Sequence, residues 1–175
     1  MIELMILFLL QKRELTMYGI SKNIGDNFGA FTSPSFGAIK PALRRLENGG
    51  FLTLRKMMSD GGKLSVFYSI TKTGRDELIK LLLSEMSENP LQFLPSARIK
   101  LSCADVLEKD EKKKMFLDIK SLAMMHKNSA DSILNNEYNQ LNFYQRIILD
   151  NSAVEYKNFI TIVEGLEKDN AGSSK

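Results

Sequence analysis

Two short strand-like segments lie close together in a chain whose other long segments favour helices, and this arrangement limits the folds open to it. Residues 51–57 and 63–70 are mostly apolar, and the second is rich in β-branched and aromatic residues. The residues between them, MSDGG, favour a tight turn. The sequence therefore predicts a mainly α fold with one small β-hairpin, which carries Arg55, Lys56 and Lys63 near its tip.

The segment before the hairpin predicts a helix with one apolar face and one polar, largely basic face. Phe36, Ile39, Leu43 and Leu46 follow steps of three, four and three residues, which is the spacing of one side of a helix. The polar face carries Ser35, Lys40, Arg44 and Glu47, with Arg45 at its flank. Such a face suits a polyanion, and a solvated surface is the alternative interpretation.

Serine, proline and glycine predict where this helix begins and ends. We expect Ser33 to be its N-cap and Pro34 to occupy its first position. Pro41 falls inside the helix and removes one backbone hydrogen bond. Gly49-Gly50 is expected to end it.

The chain opens with ten residues that are almost all apolar, MIELMILFLL. Their Leu and Met content favours a helix, and a helix that is apolar on all sides must be buried on several of them. In a small domain this suggests a partner chain on one side, with Leu4 and Phe8 as contacts. Thr16 is expected to cap a second short helix that ends near Ile24, and residues 25–33 to form a loop.

Three helices followed by a hairpin is the order of a winged helix-turn-helix, in which the third helix enters the DNA major groove and the wing contacts the backbone or minor groove. We therefore predict DNA contacts for nine residues: Tyr18, Ser33, Ser35, Lys40, Arg44, Arg45, Arg55, Lys56 and Lys63. The wing residues favour phosphate over bases. Two alternatives stay open, a capping role for Ser33 and a packed ring for Tyr18.

The charges are divided along the chain. Residues 1–75 carry 11 Lys+Arg and 5 Asp+Glu, whereas residues 76–175 carry 13 and 16. The basic first part suits a polyanionic partner, and the mildly acidic second part suits association or sensing. An unevenly charged, solvated surface is the alternative.

The second part of the chain predicts two long amphipathic helices joined by a short polar link. The first is capped by Asp110, and the second spans about residues 139–168. Such a helical hairpin buries little by itself, so a second copy of the chain is expected to complete it. The candidate dimer contacts are Phe116, Ile119, Leu122, Ile148, Phe159, Ile162 and Val163.

These patterns predict three parts. Residues 1–89 form a winged helix-turn-helix domain with a linker helix, residues 90–169 form a C-terminal helical dimerisation domain, and residues 170–175 form a flexible tail. The Asn89-Pro90 pair marks the boundary because a residue before proline disfavours helix.

Composition argues against an enzyme and against a metal or cofactor. One cysteine, Cys103, and one histidine, His126, exclude an intrachain disulfide and a paired-histidine zinc site, and both are expected to be packed residues. There is no GxGxxG motif and no phosphate-binding loop. No apolar run reaches the roughly 20 residues of a membrane span, and Lys12-Arg13 follows the first apolar run instead of preceding it, so we expect a cytoplasmic protein.

Several local motifs resemble the PadR family, bacterial regulators that respond to phenolic acids. Residues 17–20 (MYGI) resemble its helix-2 entry, and residues 37–47 (GAIKPALRRLE) resemble its recognition helix with an internal proline. Residues 50–52 (GFL) resemble its helix-to-wing junction, and residues 67–75 (FYSITKTGR) its second wing strand and the following helix start. The chain departs from the family at Lys40, where a tyrosine is usual.

The resemblance implies a homodimeric transcriptional regulator, in most cases a repressor, that binds double-stranded DNA at a near-palindromic operator. It also implies release by a small hydrophobic or aromatic effector. Met115, Met124 and Met125, with Phe116, are candidates for an effector pocket, but core or dimer packing explains them better. The alternative function is a winged-helix module that docks proteins without reading DNA sequence.

Overall fold

A row of helices and one small sheet make up the chain, whose computed structural model describes residues 1–58, 62 and 64–172. The elements in chain order are α1 (Ile2–Leu10), β1 (Leu15–Thr16), α2 (Met17–Phe28), α3 (Phe36–Asn48), β2 (Leu52–Met58), β3 (Leu64–Ile70), α4 (Lys72–Leu83), α5 (Pro90–Ser102), a 3-10 turn (Ala104–Val106), α6 (Lys109–Asn135) and α7 (Phe143–Gly172). The predicted fold class, mainly α with a small β wing, is confirmed.

Contacts divide the chain into two compact units, Met1–Val106 and Leu107–Lys175. Helix α5 therefore belongs with the first unit, whereas the sequence placed the domain boundary before it, at residue 89. The division of the chain by function, with residues 1–89 binding DNA and residues 90–169 forming a dimer, stays a prediction.

Helix α1 lies at the centre of the first unit, where it contacts α2, α3, α4 and β3. Every residue from Leu4 to Leu10 is buried, as expected for a helix without a polar face. Other elements of the same chain bury this helix, however, since Leu4 is 1% and Phe8 6% exposed in the single chain. This corrects the expectation that a partner chain covers α1, and it removes the reason for assigning Leu4 and Phe8 to a dimer interface.

The sheet has three antiparallel strands in the order β1-β3-β2. The predicted hairpin is present, with Leu52 opposite Ile70 and Met58 opposite Leu64. The sequence missed β1, in which Leu15 pairs with Tyr68, because two residues are too few to show an alternating pattern.

Helix α2 begins as predicted and ends later. The Thr16 hydroxyl accepts a hydrogen bond from the Gly19 amide at 3.1 Å, so Thr16 is the expected N-cap. The helix continues past Ile24 to Phe28, whose ring is buried and meets the Phe8 ring edge-on at 6.1 Å. Tertiary packing of Phe28 thus outweighs the loop preference of the Gly- and Asn-containing sequence.

Helix α3 begins two residues later than expected. Its N-cap is Ser35, whose carbonyl accepts from the Ile39 amide at 3.1 Å, so Ser33 and Pro34 precede the helix. Pro41 lies inside α3, as predicted. Gly49 caps its C-terminus and Gly50 has a φ of 72°, a conformation that glycine adopts without a steric penalty.

Hydrogen-bonding side chains fix the ends of α4 and α5. Thr71 caps α4 and Asn89 caps α5, through the Gly74 amide at 3.0 Å and the Leu91 amide at 2.9 Å. Helix α4, which spans Lys72–Leu83, is the predicted linker helix of the winged domain. Lys100 is 3% exposed, and its ammonium donates to the Ser84 carbonyl at the end of α4. This bond satisfies a carbonyl that the helix leaves without an intrahelical partner.

The second unit is an antiparallel pair of helices, α6 and α7, as predicted. Lys120 near the middle of α6 forms an ion pair of 2.5 Å with Glu167 in the last turns of α7. Helix α6 is capped by Glu108, which forms a reciprocal capping box with Glu111, and not by Asp110. Helix α7 extends to Gly172, into the predicted tail, and residues 173–175 lie outside the described residues.

None of the helices in the described ranges is both long enough and apolar enough to cross a membrane.

Candidate nucleic-acid interface

The start of α2, the exposed face of α3 and strand β3 line one cleft of about 580 Å³ in the first unit. Its lining residues are Thr16, Met17, Tyr18, Lys40, Leu43, Arg44, Glu47, Leu64, Ser65, Val66 and Tyr68. The structure therefore brings together three of the predicted DNA contacts, Tyr18, Lys40 and Arg44, which the sequence separates by up to 26 residues.

Burial of the apolar face of α3 determines where its basic residues point. Ile39, Leu43 and Leu46 are at most 3% exposed, which fixes the rotation of the helix. Lys40 and Arg44 are exposed on the other side, and neither forms an ion pair with any residue in the described part of the chain. Their charges are therefore available to an anionic partner.

Tyr18 lies in the first turn of α2 and is 70% exposed. Of the two interpretations of its ring, a packed core residue is excluded by this exposure. Its phenol is held at the edge of the cleft because the Thr16 cap fixes the start of α2.

Tyr68 lines the cleft, although it is not among the predicted DNA contacts. Leu64, Val66 and Tyr68 alternate along β3 and all line the cleft, so the period-two pattern of the strand was the available signal. Partial burial raises the pKa of Tyr68, the Glu47 carboxylate adds to the increase, and the Arg44 charge opposes it. Tyr68 is thus a neutral hydrogen-bonding group at pH 7.

Two of the predicted basic contacts are held by carboxylates of the same chain. Arg45 donates from Nε to Glu3 at 2.9 Å and forms a second bond through its terminal nitrogen. Arg55 pairs with Glu14, and its guanidinium lies 5.7 Å from the centre of the Phe67 ring. These arginines are exposed, but their charge is partly neutralised, unlike that of Lys40 and Arg44.

Replacing Glu3 with glutamine is expected to destabilise the fold at pH 7 by less than about 1 kcal/mol, since the Glu3–Arg45 pair is partly solvated. Burial raises the pKa of Glu3, but the hydrogen bond and charge of Arg45 lower it, and the net pKa is below 4.5. A lowered carboxyl pKa stabilises the fold above the unfolded value of 4.5, and this contribution is lost as the pH falls through the folded value.

Urea unfolding of wild type and Glu3→Gln, measured stepwise from pH 7 downward, checks this expectation. The two stabilities should converge in acid, and Glu85→Gln should match wild type throughout because Glu85 is exposed. A constant difference at every pH would show that the Glu3 charge is not responsible.

The other predicted DNA contacts that lie within the described residues do not line the cleft. Ser33 and Ser35 are exposed before α3, and the Ser35 hydroxyl makes no capping bond. Lys56 is exposed on β2. Lys63 lies outside the described residues.

The predicted dimer contacts of the second unit fall into two groups. Phe116, Ile119, Phe159 and Val163 are at most 5% exposed, so they belong to the core of the chain and have little surface left for a partner. Leu122 is half-buried, whereas Ile148 and Ile162 are 66% and 57% exposed. Single-chain packing of α6 on α7 explains the first group, because one sequence stripe serves both intrachain and interchain packing.

Cys103 and His126 are packed residues, as expected. Cys103 is fully buried, and burial, together with the nearby Asp105, raises the pKa of its thiol to about 12 against the opposing charge of Lys12. Such a thiol does not form the reactive thiolate at pH 7. His126 stacks on Tyr156 with ring centres 5.3 Å apart.

No group of three or more histidine, cysteine, aspartate or glutamate side chains within residues 1–58, 62 and 64–172 is arranged to hold a metal ion.

The model of the transcriptional regulator PadR-like family matches residues 6–80. The negative transcriptional regulator PadR of Bacillus subtilis strain 168 is 34% identical over 73 residues, which are 42% of this chain. The matched segment spans 40% of the length of that relative.

Two solved structures are similar over nearly the whole chain. The crystal structure of Bacillus subtilis PadR in complex with operator DNA has a TM-score of 0.47 and 22% identity, and covers 96% of this chain and 98% of its own. The same protein in complex with p-coumaric acid has a TM-score of 0.41 and 21% identity, and covers 98% and 96%.

The matched residues contain α2, α3, the three strands and most of α1 and α4, which are the elements that build the cleft and hold it in place. The family consists of transcriptional regulators, so the prediction that the chain is not an enzyme is confirmed. Residues 6–80, which build the cleft, thus match the transcriptional regulator PadR-like family.

Proposed function

We propose that the chain is a sequence-specific DNA-binding repressor, which inserts α3 into the major groove and holds the DNA backbone with Tyr18 and the wing. One observation carries the proposal. Lys40 and Arg44 stand exposed on one face of α3, next to Tyr18 and Tyr68 in the same cleft, and form no ion pair within the described part of the chain. Unneutralised cations on a helix that can enter a groove are the usual requirement for DNA binding.

The first turn of α3 supports a phosphate contact near the cleft. Ser35 is its N-cap, but the Ser35 side chain makes no hydrogen bond to the amide groups at this end of the helix. Backbone amides and the positive end of the helix dipole favour an anion there, and the exposed Ser35 hydroxyl adds a further donor. We assign Ser35, and Ser33 before it, to the DNA backbone.

The wing supports backbone contacts on the other side of α3. Lys56 is exposed on β2, and Arg55 is exposed although it pairs with Glu14. In a winged helix these positions approach phosphates, where an exposed lysine needs no fixed geometry. Arg45 is assigned a weaker backbone contact, because Glu3 already holds its guanidinium.

A homodimer completes the proposed function. Ile148 and Ile162 are exposed apolar residues on α7, and Leu122 is half-buried on α6, so these three residues leave apolar surface for a second copy. Two winged domains in one dimer read two half-sites of a near-palindromic operator, and linking them raises the affinity above that of one domain. Repression then follows from coverage of a promoter.

Release by a small hydrophobic or aromatic effector is part of the proposal, and it rests on the family alone. Phenolic acids are the class to try, because the family resemblance points to them. Addition of phenolic acids to the protein–DNA complex should lower the affinity of the protein for DNA. If no compound of this class has an effect, the proposed release by a phenolic effector is wrong.

The first test is a mobility-shift titration with the full chain and the DNA upstream of its own gene, at two salt concentrations and with competitor DNA. Tight, competitor-resistant binding that weakens steeply as salt increases is expected, because Lys and Arg contacts release counterions from phosphates. Weak binding that competitor DNA abolishes would contradict a specific regulator at that site. The same titration on genomic fragments would then decide between another operator and a protein-docking module.

A further inference from the structure

We propose that α3 selects operator half-sites that contain two guanines, read by Lys40 and Arg44, an inference that rests on the proposed function. It names the bases that this particular helix can recognise.

Along the exposed face of α3, the hydrogen-bond donors lie closer to the start of the helix than the first acceptor. From the start of the helix to Arg44, the exposed side chains are Phe36, Lys40, Pro41 and Arg44, together with Gly37. Of these side chains, those of Lys40 and Arg44 carry hydrogen-bonding groups, and both are donors without acceptor capacity. The first acceptor side chain is Glu47, which lies in the last turn of the helix.

The side chains of Lys40 and Arg44 are also available for hydrogen bonds with a base. Arg45 and Arg55 are held by Glu3 and Glu14, whereas Lys40 and Arg44 form no ion pair with described residues. Lys40 and Arg44 are four residues apart, so they lie on the same side of the helix, about 6 Å apart along its axis. This separation is close to two base-pair steps of about 3.4 Å, and the side chains therefore reach different base pairs.

A helix face that offers only hydrogen-bond donors is expected to prefer guanine among the four bases. In the major groove guanine presents two adjacent acceptors, O6 and N7, while adenine presents one acceptor and one donor, and cytosine presents a donor. A lysine or arginine therefore forms two hydrogen bonds only with guanine. Phe36, which is 46% exposed at the first position of α3, has no hydrogen-bonding group and suits the methyl group of thymine.

The test starts with selection of bound sequences from random double-stranded DNA, using the full-length protein. The wild type, Lys40→Ala, Arg44→Ala and the control Lys80→Ala are compared. Lys80→Ala removes one positive charge from α4, at a residue that does not line the cleft. The selected site is then synthesised with 7-deazaguanine, which lacks the N7 acceptor, at one guanine at a time.

We expect the wild-type site to contain two guanines in each half-site, and each alanine variant to lose the preference at one of them. Deaza substitution at that guanine should lower the wild-type affinity about ten-fold and leave the matching variant unchanged. The Lys80→Ala variant should select the wild-type site.

Two different results would overturn the inference, and they are distinguishable from failure of the proposed function. If the alanine variants weaken all sequences equally and keep the full motif, Lys40 and Arg44 contact phosphates. If the selected site lacks guanines, or deaza substitution has no effect, another group reads the operator. In both cases specific DNA binding stands. If no motif is selected and binding is weak and salt-sensitive, the proposed function fails as well.

Discussion

The double variant Lys40→Ala/Arg44→Ala is expected to lower affinity for the operator by roughly 30-fold or more, because each side chain contributes about 1–3 kcal/mol when it contacts a base. The two residues lie one turn apart on the exposed face of α3 and line the same cleft. Mobility-shift titration or fluorescence anisotropy at fixed salt measures the change.

The same variant should fold normally, which makes a loss of binding interpretable. Lys40 and Arg44 are exposed and form no ion pair with described residues, so their removal is expected to change the free energy of unfolding by no more than about 0.5 kcal/mol. Lys80→Ala is the control for the loss of one positive charge, and it should bind within about two-fold of wild type because Lys80 does not line the cleft and already pairs with Glu77. Unchanged operator affinity in the double variant would show that α3 is not the reading helix.

The variant Arg45→Ala tests whether an arginine that is paired with a carboxylate contributes less to DNA binding than an unpaired one. Arg45 lies on the same helix and carries the same charge as Arg44, but Glu3 accepts two hydrogen bonds from it. Its removal should therefore cost less affinity than removal of Arg44.

The sequence predicted the elements of the winged domain well because their signals are local. The spacing of Ile39, Leu43 and Leu46, the Thr16 cap and the glycine pair after α3 all act within a few residues. For the same reason the two long strands of the hairpin were predicted to within one residue at each end.

The differences arise where distant residues decide the structure. Arg45 meets a carboxylate 42 residues away in the sequence, and Arg55 meets one 41 residues away. Phe28 extends α2 by packing on Phe8, and Tyr68 joins the cleft through the register of β3 with β1. No local pattern contains such contacts, so the availability of each basic residue could be judged only in the folded chain.

Dimer formation through α7 gives the second large expected effect. The double variant Ile148→Glu/Ile162→Glu should convert the proposed dimer into a monomer at micromolar concentration. Both side chains are more than half exposed in the single chain, so the substitutions leave its core intact. Burying each isoleucine at an interface stabilises it by about 1.5–3 kcal/mol, and a buried unpaired carboxylate is far less favourable.

Symmetry multiplies this effect, because a two-fold dimer contains each substitution twice. Sedimentation analysis of the wild type and the variant measures the association state directly. The matched control is Asn128→Glu/Ser132→Glu, which adds the same charge to exposed polar positions of α6 and should leave the association unchanged. A wild-type monomer, or a variant that stays dimeric, would contradict an interface at these residues.

The monomeric variant also separates the contribution of the dimer to DNA binding from that of α3. Its cleft, with Lys40 and Arg44, is built entirely from the first unit and remains unchanged. Affinity for one half-site should therefore be retained, whereas affinity for the full operator should fall by about 100-fold, since the second half-site is no longer bound at high effective concentration. Equal losses on half-site and full operator would instead indicate that α7 supports the fold of the winged domain. The α3 double variant should show the opposite pattern, a loss on both DNAs with association intact, so that the two variants together assign reading to α3 and affinity gain to the dimer.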